Sequence, residues 1–459
     1  MASSWDTFPG TYRQRQVSQI AAWIDARESG LVVGLSGAGK SNVLGFVAHR
    51  LTTHGQVLRP LLDLNRLSEP TLAALLRQLL AALNDAASTQ LSAEASGRLQ
   101  AITDKGMAQT DAFLLGRSVE SALALLCGEM KLCTVILIDR FDVALEHLPP
   151  ALYNNLRAWR DRHKIRLSYV VAARRDWPDW PNLPALSEFT DLIAGRTCWV
   201  GALSMDDLRW NVERFSGERP HKKLVERMAE LCGGHAGLLK TLWAAGAGTL
   251  SITDKGKAET GVEHTPDEWA QQSGVRRQCQ ELWDDLPATI QESLRVWQMG
   301  RAQPQDAAKE FLLDTGLTVE RGGELQLTSS VFAAFAREQA GVGGGVLWRD
   351  AATGQLFRGG VKLPVELTPQ EDRLLAYLLA HPGEVCDKDA LAEAVWSDEV
   401  RVEGIRDDRL AQLVRRLRDK VEPDPHAPRY IVPVWGRGYR LVMDGTGVFS
   451  YRSSASEQQ

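Results

Sequence analysis

The chain has 459 residues, 44% of them hydrophobic and 24% charged, with a formal net charge of −5. That length suggests roughly three domains with sizeable cores, and the acidic balance confines any nucleic-acid contact to a local patch. The six cysteines are scattered without a C-x-x-C pair, the start MASSWDTFPG has neither the basic nor the apolar part of a signal peptide, and no apolar run is long enough for a membrane span. These features point to reduced thiols in a soluble cytoplasmic protein with no membrane partner.

In chain order, residues 16–25 have helical spacing, and LVVGLSGAGKSNVLGFVAHRL reads as strand, Gly-rich turn and helix. LRPLLDL (58–64) is a second strand and 72–83 an apolar helix, whereas 86–110, rich in Ala, Ser, Thr, Gln and Gly, reads as a surface excursion. A helix over 118–130 precedes the continuous apolar strand TVILID; a helix over 151–162 precedes another such strand, LSYVVAAR. Buried strands alternating with helices predict a parallel α/β sheet. Past about residue 201 the pattern turns helical (205–215, 222–231, 237–244), and 281–338 is mostly helical with one β-like piece, ELQL, fitting a small winged-helix unit. GVGGG (341–345) reads as a linker. Short strands (VLWRD, QLFRG, VKLPVEL), three helices (369–380, 388–395, 405–421) and a hairpin containing YIVPVWGRGYRLV follow.

GLSGAGKS, Gly34 to Ser41, fits G-x-x-x-x-G-K-[ST] in the required strand-to-helix context. Its backbone amides (Gly34, Ser36, Gly37, Ala38, Gly39, with Asn42 just beyond) suit a phosphate at a helix N-terminus. Lys40 would hold the β- and γ-phosphates of ATP or ADP, and Ser41 would ligate Mg2+. Asp139, ending TVILID, is the second Mg2+-side group, acting through water. Asp142 is the candidate to orient an attacking water, or else an N-cap or surface carboxylate. Arg174 ends the next strand, where a cation could sense the γ-phosphate. Arg175 is the competing choice, and a solvated basic pair the bland one.

With these residues on the page, the chain over about 8–340 resembles the STAND class of AAA-related P-loop ATPases, through GLSGAGKS, ILIDRFD and VVAAR in order. LCGGHAGLLK (231–240) is similar to the family's adenine-side segment, and LTSSVFAAFARE (327–338) to the end of its winged-helix domain. The resemblance implies nucleotide binding. Ala236 stands where the family usually has proline, and Val143 stands where many members carry a second acid, which points to slow ATP hydrolysis. His235 is either a nucleotide contact or a packed or capping histidine.

In the helix RDDRLAQLVRRLRDKVE, Leu410, Val414, Leu417 and Val421 share one face, which packs inward. Arg409, Gln412, Arg415 and Arg416 lie opposite. From Arg406 to Lys420 six basic residues stand against three acidic, whereas from Val361 to Met443 thirteen stand against fifteen. Positive charge is thus concentrated on one helix and the terminal hairpin, the footprint of a helix meant for a major groove; by itself the helix could equally be an ordinary amphipathic one. The neighbours LTPQEDRLLAYLLAHPGEVCDKDALAEAVW and RYIVPVWGRGYRLV make residues 345–445 closely similar to the OmpR/PhoB-type winged-helix DNA-binding domain. The resemblance implies that Arg409, Gln412, Arg415 and Arg416 face the groove and that Arg418 and Lys420 lie nearer the DNA backbone. Arg437, between Gly436 and Gly438, would reach phosphate or the minor groove from the wing, with Tyr439 anchoring the wing to the core. Trp435 stands where the family usually has arginine.

The expected architecture is therefore multidomain. A P-loop α/β domain occupies 1–200, a helical lid 201–275 and a winged helix 276–340. An α+β winged helix-turn-helix on double-stranded DNA occupies 346–445, and a disordered tail 446–459. The expected function is a bacterial, nucleoid-associated transcription regulator whose homo-oligomeric assembly is set by ATP, with a protein partner supplying the signal. The alternatives are an ATPase acting on DNA directly (replication initiation, transposition or defence) and a scaffold using ATP as structural glue.

Overall fold

The computed structural model describes residues 4–51, 56–67, 69–249, 264–300, 302–340, 347–349, 354–358, 361–363, 365–396, 405–422, 425 and 428–442. The glycine linker at 341–345 and the tail expected at 446–459 lie outside them. The chain divides into two compact units. The first comprises Met1–Gly261 with Arg277–Pro287 and Gln305–Ser329; the second comprises Val262–Arg276, Ala288–Pro304 and Ser330–Gln459.

The first unit is built on a parallel sheet of β1 (Gly30–Val33), β2 (Val57–Leu58), β3 (Leu61–Asp63), β4 (Cys133–Asp139), β5 (Leu167–Ala173) and β6 (Thr197–Trp199). The order is β6-β1-β5-β4, with β2 and β3 both paired to β4. Alternate residues feed two cores. Leu31, Val33, Ile136, Ile138 and Val171 pack on one face, and Val32, Val135, Leu137, Val170 and Cys198 on the other. Burial on both faces is why these strands read as continuous apolar runs. α1 (Gln14–Ala26) and α2 (Lys40–His49) cover the second face through Ile20, Ile24, Val43, Leu44 and Val47. LRPLLDL is split between β2 and β3, because Pro60 has no N–H to give the ladder; its carbonyl instead accepts from Leu137 N at 2.9 Å.

The segment expected as a surface excursion is a packed helix, Ala93–Met107. Ser92 caps it, and its buried face (Ala95, Leu99, Thr103, Gly106) fits so closely that a Cβ at Gly106 would lie 2.3 Å from Leu80 Cδ2. Small, polar composition here marks tight helix packing rather than loop. The helix expected at 118–130 begins earlier, at Ala112, and ends in a π-helical turn, Ala124–Glu129. ELQL is the second strand of a hairpin, β7 (Thr318–Arg321) with β8 (Glu324–Leu327).

In the second unit, β9 (Leu347–Arg349), β10 (Leu356–Arg358) and β11 (Val361–Lys362) form an antiparallel sheet in the order β11-β10-β9. Helix Pro369–Ala380, with a Thr368/Glu371 capping box, helix Lys388–Val395 and helix Ile405–Val421 follow. A second small sheet joins β12 (Val385–Asp387) to the hairpin of β13 (Ile431–Val434) and β14 (Gly438–Leu441). The short strand β12 has no counterpart among the elements expected from the sequence. Leu374, Leu378, Leu391, Val395, Leu410, Leu413, Leu417, Ile431 and Leu441 close one core. Among the described residues no helix is long and apolar enough to cross a membrane.

Candidate nucleotide site and nucleic-acid interface

β1 ends at the Gly-rich loop and α2 begins at Lys40. Gly37 (φ 79°) and Gly39 (φ 103°) occupy the left-handed region that glycine alone enters freely. Gly34 is confined by its neighbours, since a Cβ there would lie 2.9 Å from the Val200 carbonyl. A cleft of about 440 Å³ is lined by Ser36, Gly37, Gly39, Lys40, Ser41 and Asn42, and across from them by Asn65, Asp139, Asp142 and Arg174. Lys40 Nζ donates to the Gly34 carbonyl and, at 3.2 Å, to Leu35 O. Burial lowers its pKa, and the carboxylates of Asp142, Asp285 and Asp139 oppose that shift.

Asp139 is buried at the end of β4. Burial raises its pKa, while a hydrogen bond from the Ser41 hydroxyl and another from Arg140 N, at 2.9 Å, hold it down. Register sets Asp63 of β3 beside Asp139. Arg140, at φ 58°, turns back to pair with Asp63 at 3.4 Å. Asp142 accepts from the Arg174 backbone N–H with both oxygens, at 3.0 and 3.1 Å. The Arg174 guanidinium reaches Glu146 at 3.2 Å and Asp142 and Asp285 at 3.7 Å each. Arg175 does not line the cleft.

His235 lies behind the loop: its Cε1 would be 3.0 Å from a Cβ on Gly37. Nδ1 accepts from Leu238 N at 3.2 Å, capping helix Ala236–Ala244. Burial, with Arg13 and Lys40 nearby, depresses its pKa to about 3, so the ring is neutral. Ala38 is also buried in this layer.

Sequence reasoning missed four groups at this site. Arg13, buried and at φ 47°, donates to Gly201 O (2.6 Å), Ala202 O (3.0 Å) and Ala38 O (2.7 Å). Tyr12 stands beside it, with Oη 3.8 Å from a Cβ on Gly39. Gln278 Nε2 donates to Ser36 O at 3.3 Å, and Asp285 Oδ2 accepts from Ser36 N at 2.6 Å. Arg13 precedes the first helical period, and Gln278 and Asp285 come 242 and 249 residues after Ser36. No local pattern in the sequence ties any of the four to the loop.

In the second unit, helix Ile405–Val421 buries Leu410, Leu413, Val414, Leu417 and Val421 and exposes Arg409, Gln412, Arg415 and Arg416. Arg409 also lies over the Trp396 ring, 5.1 Å from its centroid. Arg418 is half-buried: Nε and Nη2 donate to Ile431 O at 3.0 and 2.6 Å, and the guanidinium packs on Tyr439. Lys420 Nζ donates to Glu366 O at 2.8 Å and to the buried Glu371 carboxylate at 2.7 Å. Both therefore tie the helix to its own domain. Glu422, also buried, accepts from the amides of Arg429, Tyr430 and Ile431 and fixes the start of β13.

Between β13 and β14, Trp435, Gly436 and Arg437 are exposed, and Trp435 is 89% accessible. Gly436 (φ 69°) makes the turn. Gly438 (φ 140°) has a different reason, since its Cβ would lie 2.0 Å from Cys386 O on β12.

Residues 10–170 match the family model described as AAA ATPase domain, and residues 362–441 match that described as Transcriptional regulatory protein, C terminal. The chain is 37% identical over 79 residues to the Uncharacterized transcriptional regulatory protein YcbL of Bacillus subtilis, covering 17% of this chain and 33% of that protein. It is 39% identical over 102 residues to Protein PetR of Rhodobacter capsulatus, covering 22% and 42%. Against these and two further curated relatives, the chain spans 31% to 63% of the relative's length. Among solved structures, the Walker-type ATPase paby2304 of Pyrococcus abyssi aligns over 72% of this chain and 99% of its own, with 13% identity and a TM-score of 0.39. The chain thus joins an AAA-type ATPase domain to a C-terminal OmpR/PhoB-type domain.

Proposed function

We propose that this protein is a STAND-type, nucleotide-switched transcription regulator. It binds ATP with Mg2+ at the Gly34–Ser41 loop, assembles into a homo-oligomer in the cytoplasm, and binds double-stranded DNA through its C-terminal module. The observation that carries the reading is the outward row Arg409, Gln412, Arg415 and Arg416. It stands on a helix whose other face is core, in the same chain as a complete phosphate loop. The family model described as Transcriptional regulatory protein, C terminal, matches over this same module.

The first-unit residues fit a magnesium nucleotide. Lys40 is already desolvated among carboxylates, and the Ser41 hydroxyl already faces a buried Asp139 whose pKa is pushed up. Such an acid gains from a divalent cation. Ser41, and Asp139 through water, would hold Mg2+, which supplies charge neutralisation on the outer phosphates. Lys40 would bind those phosphates, and the amides of Gly37 to Ser41 would cradle the inner ones. Asp142 is engaged by the Arg174 amide with both oxygens, leaving it poorly placed to orient a water. This supports slow hydrolysis, as a switch requires.

In the second unit, exposed Arg415 and Arg416 would read base edges, and Arg437 would contact phosphate or the minor groove. Sequencing DNA crosslinked to the full-length protein tests the reading. One enriched motif, lost in Arg416→Ala, is expected. Enrichment without sequence preference, together with DNA-stimulated hydrolysis, would overturn it in favour of an ATPase working on DNA itself.

A further inference from the structure

The carboxylate of Asp285 sits against two residues that line the nucleotide cleft, Ser36 and Arg174, in a place that neither the loop motif nor the Mg2+ pair accounts for. The side chain is 8% exposed. One oxygen accepts from the Ser36 backbone N–H at 2.6 Å, and the other lies 3.7 Å from Arg174 Nη1. Its charge also acts on Lys40. A loop amide, an arginine and a lysine are the donors that an outer phosphate of a nucleotide uses.

Position along the loop says which phosphate. The amides at the N-terminus of α2 (Gly39, Lys40, Ser41) take the inner phosphates. Ser36 lies towards the loop's other end, where Asp285 bridges it to Arg174. The anion seated at Ser36 therefore stands where the outermost phosphate of a triphosphate would go. Asp285 is held there by its helix, Ser273–Asp285, which Gln278 fastens to the same loop residue through Ser36 O at 3.3 Å. The fit leaves no slack: a Cβ on Gly37 would lie 3.0 Å from Gln278 Oε1, and one on Gly237 2.5 Å from it.

We propose that Asp285 is an internal competitor for the terminal phosphate and makes the cleft discriminate between nucleoside di- and triphosphates. A diphosphate fills the inner amides with Asp285 in place. A triphosphate must expel Asp285 from the Ser36 amide and from Arg174, because two anions do not share those donors. Arrival of the third phosphate therefore frees the C-terminal end of the Ser273–Asp285 helix, and its loss lets that end return. The proposal rests on the nucleotide reading of the cleft and adds a discriminating residue to it.

Titration calorimetry of the full-length protein with ADP and with a non-hydrolysable ATP analogue, each with Mg2+, tests it. Asp285→Asn keeps an acceptor for the Ser36 amide but removes the charge; Asp285→Ala removes both. Each should strengthen triphosphate binding relative to diphosphate by roughly tenfold or more, the scale of one hydrogen bond to a charged group. In the wild type, hydrogen exchange over 278–285 should rise with the triphosphate and stay unchanged with ADP. If wild type binds neither nucleotide, the phosphate-site reading falls and this proposal with it. If it binds both, and the ratio is the same in wild type and both variants, Asp285 is not a competitor. Equal protection of 278–285 with either nucleotide contradicts the expulsion step in the same way.

Discussion

Two glycines flank Arg437 in the C-terminal hairpin, and the structure gives them different tasks that substitution to alanine separates. At Gly436 the backbone is left-handed (φ 69°) and a Cβ added there would meet nothing within 4 Å. Alanine at that position meets only the intrinsic penalty of the conformation, about 1–2 kcal/mol. At Gly438 the backbone (φ 140°) is one that L side chains rarely adopt, costing about 1–3 kcal/mol. In addition the new methyl would sit 2.0 Å from Cys386 O and 2.9 Å from Asp387 Cα. Backbone cannot swing aside as a side chain does, so β12 and β14 must part. That gives up pairing across Val385–Arg440, Cys386–Tyr439 and Asp387–Gly438, with each lost hydrogen bond worth about 0.5–1.5 kcal/mol. With one bond lost per pair, the sum for Gly438→Ala is about 2.5–7.5 kcal/mol, above the about 1–2 kcal/mol for Gly436→Ala. Hydrogen exchange of the full-length chain reads it locally. Protection over 385–387 and 438–441 should collapse in Gly438→Ala and stay close to wild type in Gly436→Ala. Equal losses in the two variants would refute the crowding at Cys386.

Lys40→Ala should weaken binding of labelled ATP by roughly 10–150-fold, the range for one or more charged hydrogen bonds of about 1.5–3 kcal/mol; unchanged affinity would take Lys40 out of the site. Arg418→Ala should destabilise the C-terminal module in chemical unfolding, because it removes the bonds to Ile431 O, whereas Arg416→Ala should leave stability unchanged and relax base discrimination by about 1–3 kcal/mol in a competition binding assay. Lys420→Met removes the cation beside the buried Glu371 carboxylate, which keeps its capping bond from Thr368 N, and because Lys420 is itself part-exposed the expected loss is about 1–3 kcal/mol in the same unfolding measurement. His235 has a folded pKa, about 3, below its ordinary 6.5. The unfolded chain therefore binds the proton first, and the stability it contributes is complete above 6.5 and lost as pH falls towards 3, at up to about 1.4 kcal/mol per pH unit. Unfolding of His235→Asn, which retains a capping acceptor, should lose less stability between about pH 7 and 5 than wild type.

What could be read from the sequence was what local chemistry dictates. The phosphate loop shows because glycines, lysine and serine must be adjacent to wrap an anion, and β4 and β5 show because burial on both faces forces unbroken apolar runs. The outward row on the helix Ile405–Val421 shows because helical spacing separates Leu410 and Leu417 from Arg409 and Arg416. Long-range partners were hidden. Nothing near Asp285 in the sequence says that its carboxylate meets Ser36, and nothing near Arg13 says that it meets Ala38. Composition misled at Ala93–Met107, where Gly106 is required by contact with Leu80 rather than by a turn. Arg418 and Lys420 have the right charge for a DNA backbone, and only the structure shows their donors directed to Ile431, Glu366 and Glu371.

The central claim is that nucleotide state at the Gly34–Ser41 loop sets DNA binding by the C-terminal module. Its most direct test is a titration of full-length protein onto its best DNA site, with ATP and Mg2+, with ADP and Mg2+, and with neither, while mass photometry follows assembly size. The module is acidic overall with a local basic face, so one copy should bind weakly, and copies held together should gain affinity roughly 10²–10⁴-fold through effective concentration. The account predicts larger assemblies and tighter specific binding with ATP, both lost in Lys40→Ala. The same affinity in all three nucleotide states would contradict it.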